Sequence, residues 1–188
     1  MPKLELLVGT IASGKSTYSK KRAKEGAVII NDDSLVTALH GGDYKLYRSD
    51  FKPLYKSVEQ SILALSLLNG RDVVVDRPNL TKDSRAKYLA IARAMEFESA
   101  LILFPFTEPR THALRRASHD MRGYTFEYWN KVAEAHISQY EPPEIDECYT
   151  YVTQMGVEEA IEKPRKDTKY EGVCDHCDFY LANCRCDD

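Results

Sequence analysis

Short apolar runs alternate along this chain with longer stretches in which apolar residues recur every three or four positions. Leu4–Val8, Ala27–Asn31, Asp72–Asp76, Ala100–Phe104 and Cys148–Val152 read as strands. Lys15–Glu25, Asp33–His40, Ser49–Leu68, Thr107–Ser118 and Phe126–Tyr140 read as helices, as does a segment capped by Thr81 that runs to about Met95. Gly41-Gly42, Asn69-Gly70 and Pro142-Pro143 supply stop signals, and Pro109 suits the first turn of its helix. Repeated strand–helix units with apolar strands predict an α/β fold, a parallel sheet sandwiched by helices. In such sheets ligands sit at the carboxyl ends of the strands. Gly9, Asp32 and Asp76 all fall there.

The junction of the first strand and first helix carries the most specific pattern. Residues 9–16 read Gly-Thr-Ile-Ala-Ser-Gly-Lys-Ser, a full G-x-x-x-x-G-K-S phosphate loop in the P-loop NTPase manner. Gly9 and Gly14 let the backbone wrap closely around phosphate oxygens. Successive N–H groups and the helix N-terminus then face the anion. Thr10, Ser13, Gly14, Lys15, Ser16 and Thr17 line the expected nucleotide site with Gly9. Lys15 is expected at the β/γ-phosphates of ATP and the Ser16 hydroxyl on Mg²⁺.

Composition narrows the class. The 188 residues are 43% hydrophobic and 29% charged, enough for one α/β domain with a small appendage. Net charge is −3, so any nucleic-acid contact must come from a local cluster. No apolar run approaches ~20 residues, which argues against a membrane span. The chain enters its first strand at once, with no signal-peptide pattern, and a soluble intracellular protein is expected.

Acidic and basic residues suggest the chemistry. Asp32 and Asp33 follow the second strand, where a carboxylate can orient an acceptor hydroxyl and take its proton. Asp also favours helix N-caps. Asp32 is assigned to catalysis and Asp33 to the cap, on the acceptor side. Asp76, followed by Arg77-Pro78-Asn79, is placed to hold Mg²⁺ through water or to contact the acceptor. Arg110, Arg115, Arg116 and Arg122 cluster on a helix and the bend after it. Arg116 and Arg122 are the candidates to stabilise charge on a transferred phosphoryl group. Gly123 beside Arg122 suggests a helical lid over about residues 107–125.

In this order the phosphate loop, Asn31-Asp32-Asp33, Asp76…Asn79-Leu80 and Arg116…Arg122-Gly123 resemble the phage-type polynucleotide 5′-hydroxyl kinases. They are similar also to a wider group of small P-loop kinases that includes zeta-toxin-like enzymes and phage kinases acting on hydroxymethyl pyrimidines in DNA. The resemblance spans about residues 3–152. It implies ATP- and Mg²⁺-dependent phosphorylation of a hydroxyl, commonly a nucleic-acid 5′-OH, with DNA favoured over RNA. Matched residue by residue, it implies that Lys15 and Ser16 bind phosphate and metal. Asp32 becomes the general base, Asp76 the acidic residue after strand three, and Arg122 the lid arginine. Asp33, Arg77 and Asn79 are expected on the substrate side, beside Asp76. The resemblance also implies a cytoplasmic protein, in a host cell if phage-encoded. The chain departs from that pattern at Leu35, where the family carries an acceptor-gripping arginine. It departs too in the spacing of Asp76 and Asn79, wider by one residue, and in a longer lid. These departures leave a hydroxymethylated base or a small molecule such as a nucleoside or sugar as alternative acceptors, and an ATPase switch with no acceptor as a further alternative.

Two aromatic groups, Tyr44, Tyr47, Phe51, Tyr55 and Tyr124, Phe126, Tyr128, Trp129, are open to core packing or to stacking on bases. After a kinase-like domain over 1–161, the charged stretch 162–171 reads as a linker. Residues 172–188 form a Cys-rich tail in which Cys174, Cys177, Cys184 and Cys186 are expected to form a compact Zn²⁺ knuckle. Cys148 is expected as a buried strand residue.

Overall fold

A computed structural model describes residues 2–118 and 123–156. Its strands are β1 (Lys3–Val8), β2 (Val28–Ile30), β3 (Val73–Val75), β4 (Glu98–Leu103) and β5 (Tyr151–Gln154). The helices are α1 (Lys15–Lys24), α2 (Asp32–Leu39), α3 (Lys52–Leu68), α4 (Lys82–Ala94), α5 (Pro109–Ala117) and α6 (Phe126–Ser138). All strand pairs are parallel, in the order β2-β3-β1-β4-β5. The chain leaves β1 for one side of the sheet and later crosses to the other. The carboxyl end of β1 is therefore a topological switch point, where open α/β sheets form their ligand crevice.

The sheet is buried on both faces, as the unbroken apolar strands predict. Leu4, Leu6, Val73, Val75 and Leu101 point to one side, against Leu63 and Leu67 of α3 and Tyr88, Leu89 and Ala92 of α4. Leu7, Val74, Ala100 and Ile102 point to the other, against Tyr18 of α1 and Phe104. This alternation is the two-residue period of a strand. Glu5 also points to the α1 side, where Tyr18 and Arg22 donate to its carboxylate at 2.9 Å each.

Three local expectations change. The α2 cap is Asn31, whose side chain accepts from Ser34 N at 3.1 Å, so Asp33 lies within the first turn and is not the cap. The asparagine is free to do this because its backbone is still extended (φ −138°, ψ 130°) as it leaves β2. Helix α3 starts at Lys52, with Pro53 in its first turn, and two tight 3₁₀ turns, Tyr44–Leu46 and Ser49–Phe51, precede it. The last strand runs over Tyr151–Gln154, and half-buried Cys148 lies outside it, at φ 59° after the 3₁₀ turn Ile145–Glu147.

Arg122, the linker and the four tail cysteines lie outside the described residues. Among the described residues, no group of three or more His, Cys, Asp or Glu side chains gathers as a metal site. No helix there is long and apolar enough to cross a membrane.

Candidate active site

The phosphate loop leaves β1 at Val8 and is fixed at its first residue. Gly9 N donates to Pro78 O at 3.0 Å, tying the loop to the segment after β3. A Cβ on Gly9 would stand 2.9 Å from Phe104 Cβ and 2.9 Å from Ser13 Oγ, so no larger residue fits without a backbone shift. Gly14 takes φ 106° as the chain turns into α1. Non-glycine residues rarely adopt that conformation.

Lys15 lies inside the loop. Its ammonium donates to Gly9 O at 2.9 Å, to Thr10 O and to Ser13 Oγ at 3.4 Å. Burial lowers its pKa to about 8; nearby Asp76 works against this and Arg116 reinforces it. The lysine is thus a desolvated cation held by carbonyl oxygens, in a setting that favours an arriving anion. Thr10 is fully buried, and its hydroxyl meets His136 Nδ1 of α6 at 3.2 Å. Burial and the Lys15 charge lower the His136 pKa, which favours the neutral ring. Ser13 is half-buried, whereas Gly14, Ser16 and Thr17 are exposed at the mouth of the loop.

Beside the loop, at the ends of β2 and β3, lies a second charged group. Arg77 forms an ion pair with Asp32 through one nitrogen. Its other terminal nitrogen donates to both oxygens of Glu59 at 3.1 Å and to Tyr88 Oη at 2.7 Å. Tyr88 also donates to Glu59. Glu59 is 4% exposed, while the Asp32 side chain is half-exposed. Burial raises the Asp32 pKa and the Glu59 charge adds to the rise; Arg77 and Lys87 oppose it. The result is a carboxylate that faces solvent on one side, with an arginine holding its orientation from the other.

Other predicted residues fall as follows. Asp76 is buried, with Asn31 Nδ2 donating to its backbone oxygen at 3.0 Å, and its charge reaches Lys15. Asp33 is half-buried in the first turn of α2. Arg116, on α5, stands with its guanidinium carbon 4.8 Å from the Trp129 ring centroid and close enough to lower the Lys15 pKa. Asn79 departs from its expected place at the substrate. It is 4% exposed at φ 44°, and its amide donates to Leu7 O at 2.9 Å and to the carbonyls of Val75 and Arg77. Its role is to stitch the segment after β3 to the end of β1.

Sequence reasoning missed Glu59, Tyr88, Arg85 and His136. Glu59 was detectable as a carboxylate in the buried row Tyr55, Glu59, Leu63, Leu67 of α3. Arg85 sits likewise in the buried row of α4. It is fully buried, pairs with both oxygens of Glu147 at 2.6 and 2.7 Å, and donates to Asn79 O and Leu80 O. Through those carbonyls it fixes the segment that carries Asp76 and Arg77.

Residues 4–143 match the family described as AAA domain. The chain belongs to that family. As an AAA-domain protein with a P-loop kinase-like fold, it is expected to use ATP and Mg²⁺. The buried ammonium of Lys15, the exposed hydroxyl of Ser16 and the carboxylate of Asp76 fit such a pair of groups. Solved structures agree on the fold. The AAA-domain chain is similar to a chain of the Pnkp1/Rnl/Hen1 RNA repair complex (21% identity, TM-score 0.59), covering 73% of its own length and 43% of that chain. It therefore spans less than half of that relative. It is similar also to the Mycobacterium tuberculosis APS kinase CysC in complex with AMPPNP and APS (15% identity, TM-score 0.53), with 82% and 88% of the two chains covered. Chaetomium thermophilum Kti12 in complex with ADP-AlF3 is similar at 17% identity and TM-score 0.50, over 86% and 93%. No curated protein sequence matches the chain.

Proposed function

We propose that this AAA-domain protein is an ATP-dependent phosphotransferase whose acceptor is a hydroxyl of a nucleic acid, the 5′-OH end of a strand. The observation that carries the reading is the pairing of Arg77 with Asp32, at the same end of the sheet as the Lys15 loop. A half-exposed carboxylate beside a phosphate loop has the position a general base needs. The ordered motif set that resembles the polynucleotide kinases supports the nucleic-acid acceptor.

In this reading, ATP with Mg²⁺, when bound, would supply an electrophilic γ-phosphorus, with ADP as the leaving group. Lys15 moves its ammonium from the carbonyls of Gly9 and Thr10 onto phosphate oxygens. The backbone N–H groups of the loop and of Gly14 to Thr17 hold the same oxygens. Ser16 and Asp76 would hold the metal, Ser16 through its hydroxyl. Asp32 accepts the proton of the acceptor hydroxyl while that oxygen bonds to phosphorus and the bond to the bridging oxygen breaks. Arg77 keeps Asp32 ionised and oriented until Asp32 takes that proton. Arg116, and Arg122 from the lid, offset charge on the transferred group.

Transfer of labelled γ-phosphate to three acceptors tests this. They are a 5′-OH oligonucleotide, a 5′-blocked duplex containing hydroxymethyluracil, and free nucleosides. Label on the first is expected. Label on the duplex alone would move the acceptor to a modified base, and label on nucleosides alone would make this a small-molecule kinase.

A further inference from the structure

The reading above places an acceptor hydroxyl at Asp32 but says nothing of what holds the rest of the acceptor. Residues 44–56 read Tyr-Lys-Leu-Tyr-Arg-Ser-Asp-Phe-Lys-Pro-Leu-Tyr-Lys. Four cations, Lys45, Arg48, Lys52 and Lys56, stand there against one carboxylate, Asp50, in a chain whose net charge is −3. Aromatic rings alternate with those cations.

The structure gathers the rings into one layered group. Tyr44 and Tyr47 stack with centroids 6.1 Å apart and planes 13° apart. His40 and Phe51 stack at 6.2 Å and 21°. Both pairs rest on Tyr55, whose ring is 5.8 Å from Tyr47 and 6.3 Å from Phe51. Tyr55 is only 8% exposed, and its hydroxyl is fixed by His40 Nε2 at 2.7 Å and Arg48 N at 3.2 Å. Tyr47 and Phe51, in contrast, are 37% and 36% exposed. The group is thus anchored below and open above.

The location completes the argument. Tyr55 and Glu59 lie one turn apart on the buried face of α3, about 6 Å along the axis. Glu59 joins Asp32 through Arg77. The rings therefore gather at the His40 end of α2, about 12 Å along that helix from Asp32 at its start, and Tyr55, Glu59 and Arg77 connect the two. Arg48 lies over Phe51 at 4.7 Å and pairs with Asp50 in full solvent. Exposed ion pairs of that kind are weak, so a phosphate can take the arginine.

We infer that Tyr47 and Phe51, flanked by Lys45, Arg48 and Lys52, form a stacking platform for the unpaired bases of a single-stranded polynucleotide acceptor. The inference rests on the nucleic-acid reading of the site. Cations track the strand's phosphates while aromatic faces take its bases without regard to sequence. The terminal hydroxyl then reaches Asp32 as the following nucleotides lie on the rings.

The test compares wild type with Tyr47→Ala/Phe51→Ala and, separately, Lys45→Ala/Lys52→Ala, in the full chain. All four residues are exposed, and ATP affinity reports that each variant is folded. Fluorescence anisotropy is read with 5′-OH single-stranded DNA and RNA dodecamers at two salt concentrations. Transfer kinetics are read with a dodecamer and with a nucleoside 3′-monophosphate too short to reach the platform. Expected are at least tenfold weaker dodecamer binding in the aromatic variant and a raised ratio of dodecamer KM to mononucleotide KM. The lysine variant is expected to show a shallower salt dependence. Dodecamer binding within twofold of wild type in both variants, with transfer to the dodecamer intact, would overturn the platform and leave the kinase reading standing. Wild type that neither binds nor phosphorylates any polynucleotide would overturn both.

Discussion

Arg77 is ion-paired to Asp32 across the gap between the ends of β3 and β2. The same guanidinium is held from behind by Glu59 and Tyr88, so the pair is a fixed geometry and not a chance meeting of two surface side chains. Arginine suits this post because its planar fork serves several acceptors at once.

That arrangement predicts opposite pH effects from two neutralising substitutions. Glu59→Gln removes a negative charge that raises the Asp32 pKa, so the acid limb of the transfer-rate profile moves to lower pH. Arg77→Ala removes the counter-charge, so the limb moves to higher pH and the rate falls. Rate profiles for the two variants check this, and movement in the same direction would refute it.

Lys15 predicts a proton linkage. With its pKa lowered to about 8, a fraction of the apo protein carries neutral lysine at pH 8. Phosphate oxygens favour the ammonium, so ATP binding at that pH takes up protons and ATP affinity falls as pH rises further. Calorimetry in two buffers of different ionisation enthalpy measures the uptake. The sign for stability follows from the lowered value: the unfolded chain binds the proton more tightly between pH 8 and 10.5, so this group's burial cost eases as pH rises through that window. Lys15→Met is expected to raise the apo melting temperature while abolishing transfer.

Gly9→Ala tests the closeness of the loop to Phe104. Its Cβ would fall 2.9 Å from Phe104 Cβ, where no flexible side-chain end can yield. A stability loss of about 1–3 kcal/mol is expected from overpacking, with weaker ATP binding, by thermal denaturation and nucleotide titration. An unaltered variant would mean the loop relaxes freely.

The buried pair of Arg85 and Glu147 predicts strong non-additivity. Arg85→Met or Glu147→Gln alone leaves an uncompensated buried charge or donor, at a cost of about 3–5 kcal/mol. The double variant is expected to cost clearly less than the two singles together, measured by denaturant unfolding. Because Arg85 also holds Asn79 O and Leu80 O, the singles should slow transfer as well.

Much of this molecule is legible in its sequence because short-range chemistry decides it. Val73–Val75 can only be an interior strand, and Gly9 to Ser16 can only bend one way before a helix. What is not legible depends on partners far along the chain. Glu59 acts through Arg77, 18 residues on, and helical spacing alone makes it one more core position. Arg85 needs Glu147, 62 residues on. Asn79 looks like an acceptor-side amide until its positive φ turns that amide onto the carbonyl of Leu7. Asn31 outcompetes Asp33 as cap because it alone still has extended backbone. Cys148 leaves the strand because the turn Ile145–Glu147 occupies the residues before it.

Asp32→Asn measures the central claim most directly. Labelled γ-phosphate transfer to a 5′-OH oligonucleotide and ATP affinity are read in parallel with wild type. The account predicts unchanged ATP affinity and a transfer rate lower by about 10²–10⁴-fold, the usual contribution of a positioned base. Transfer at the wild-type rate would contradict it and remove Asp32 from the chemistry.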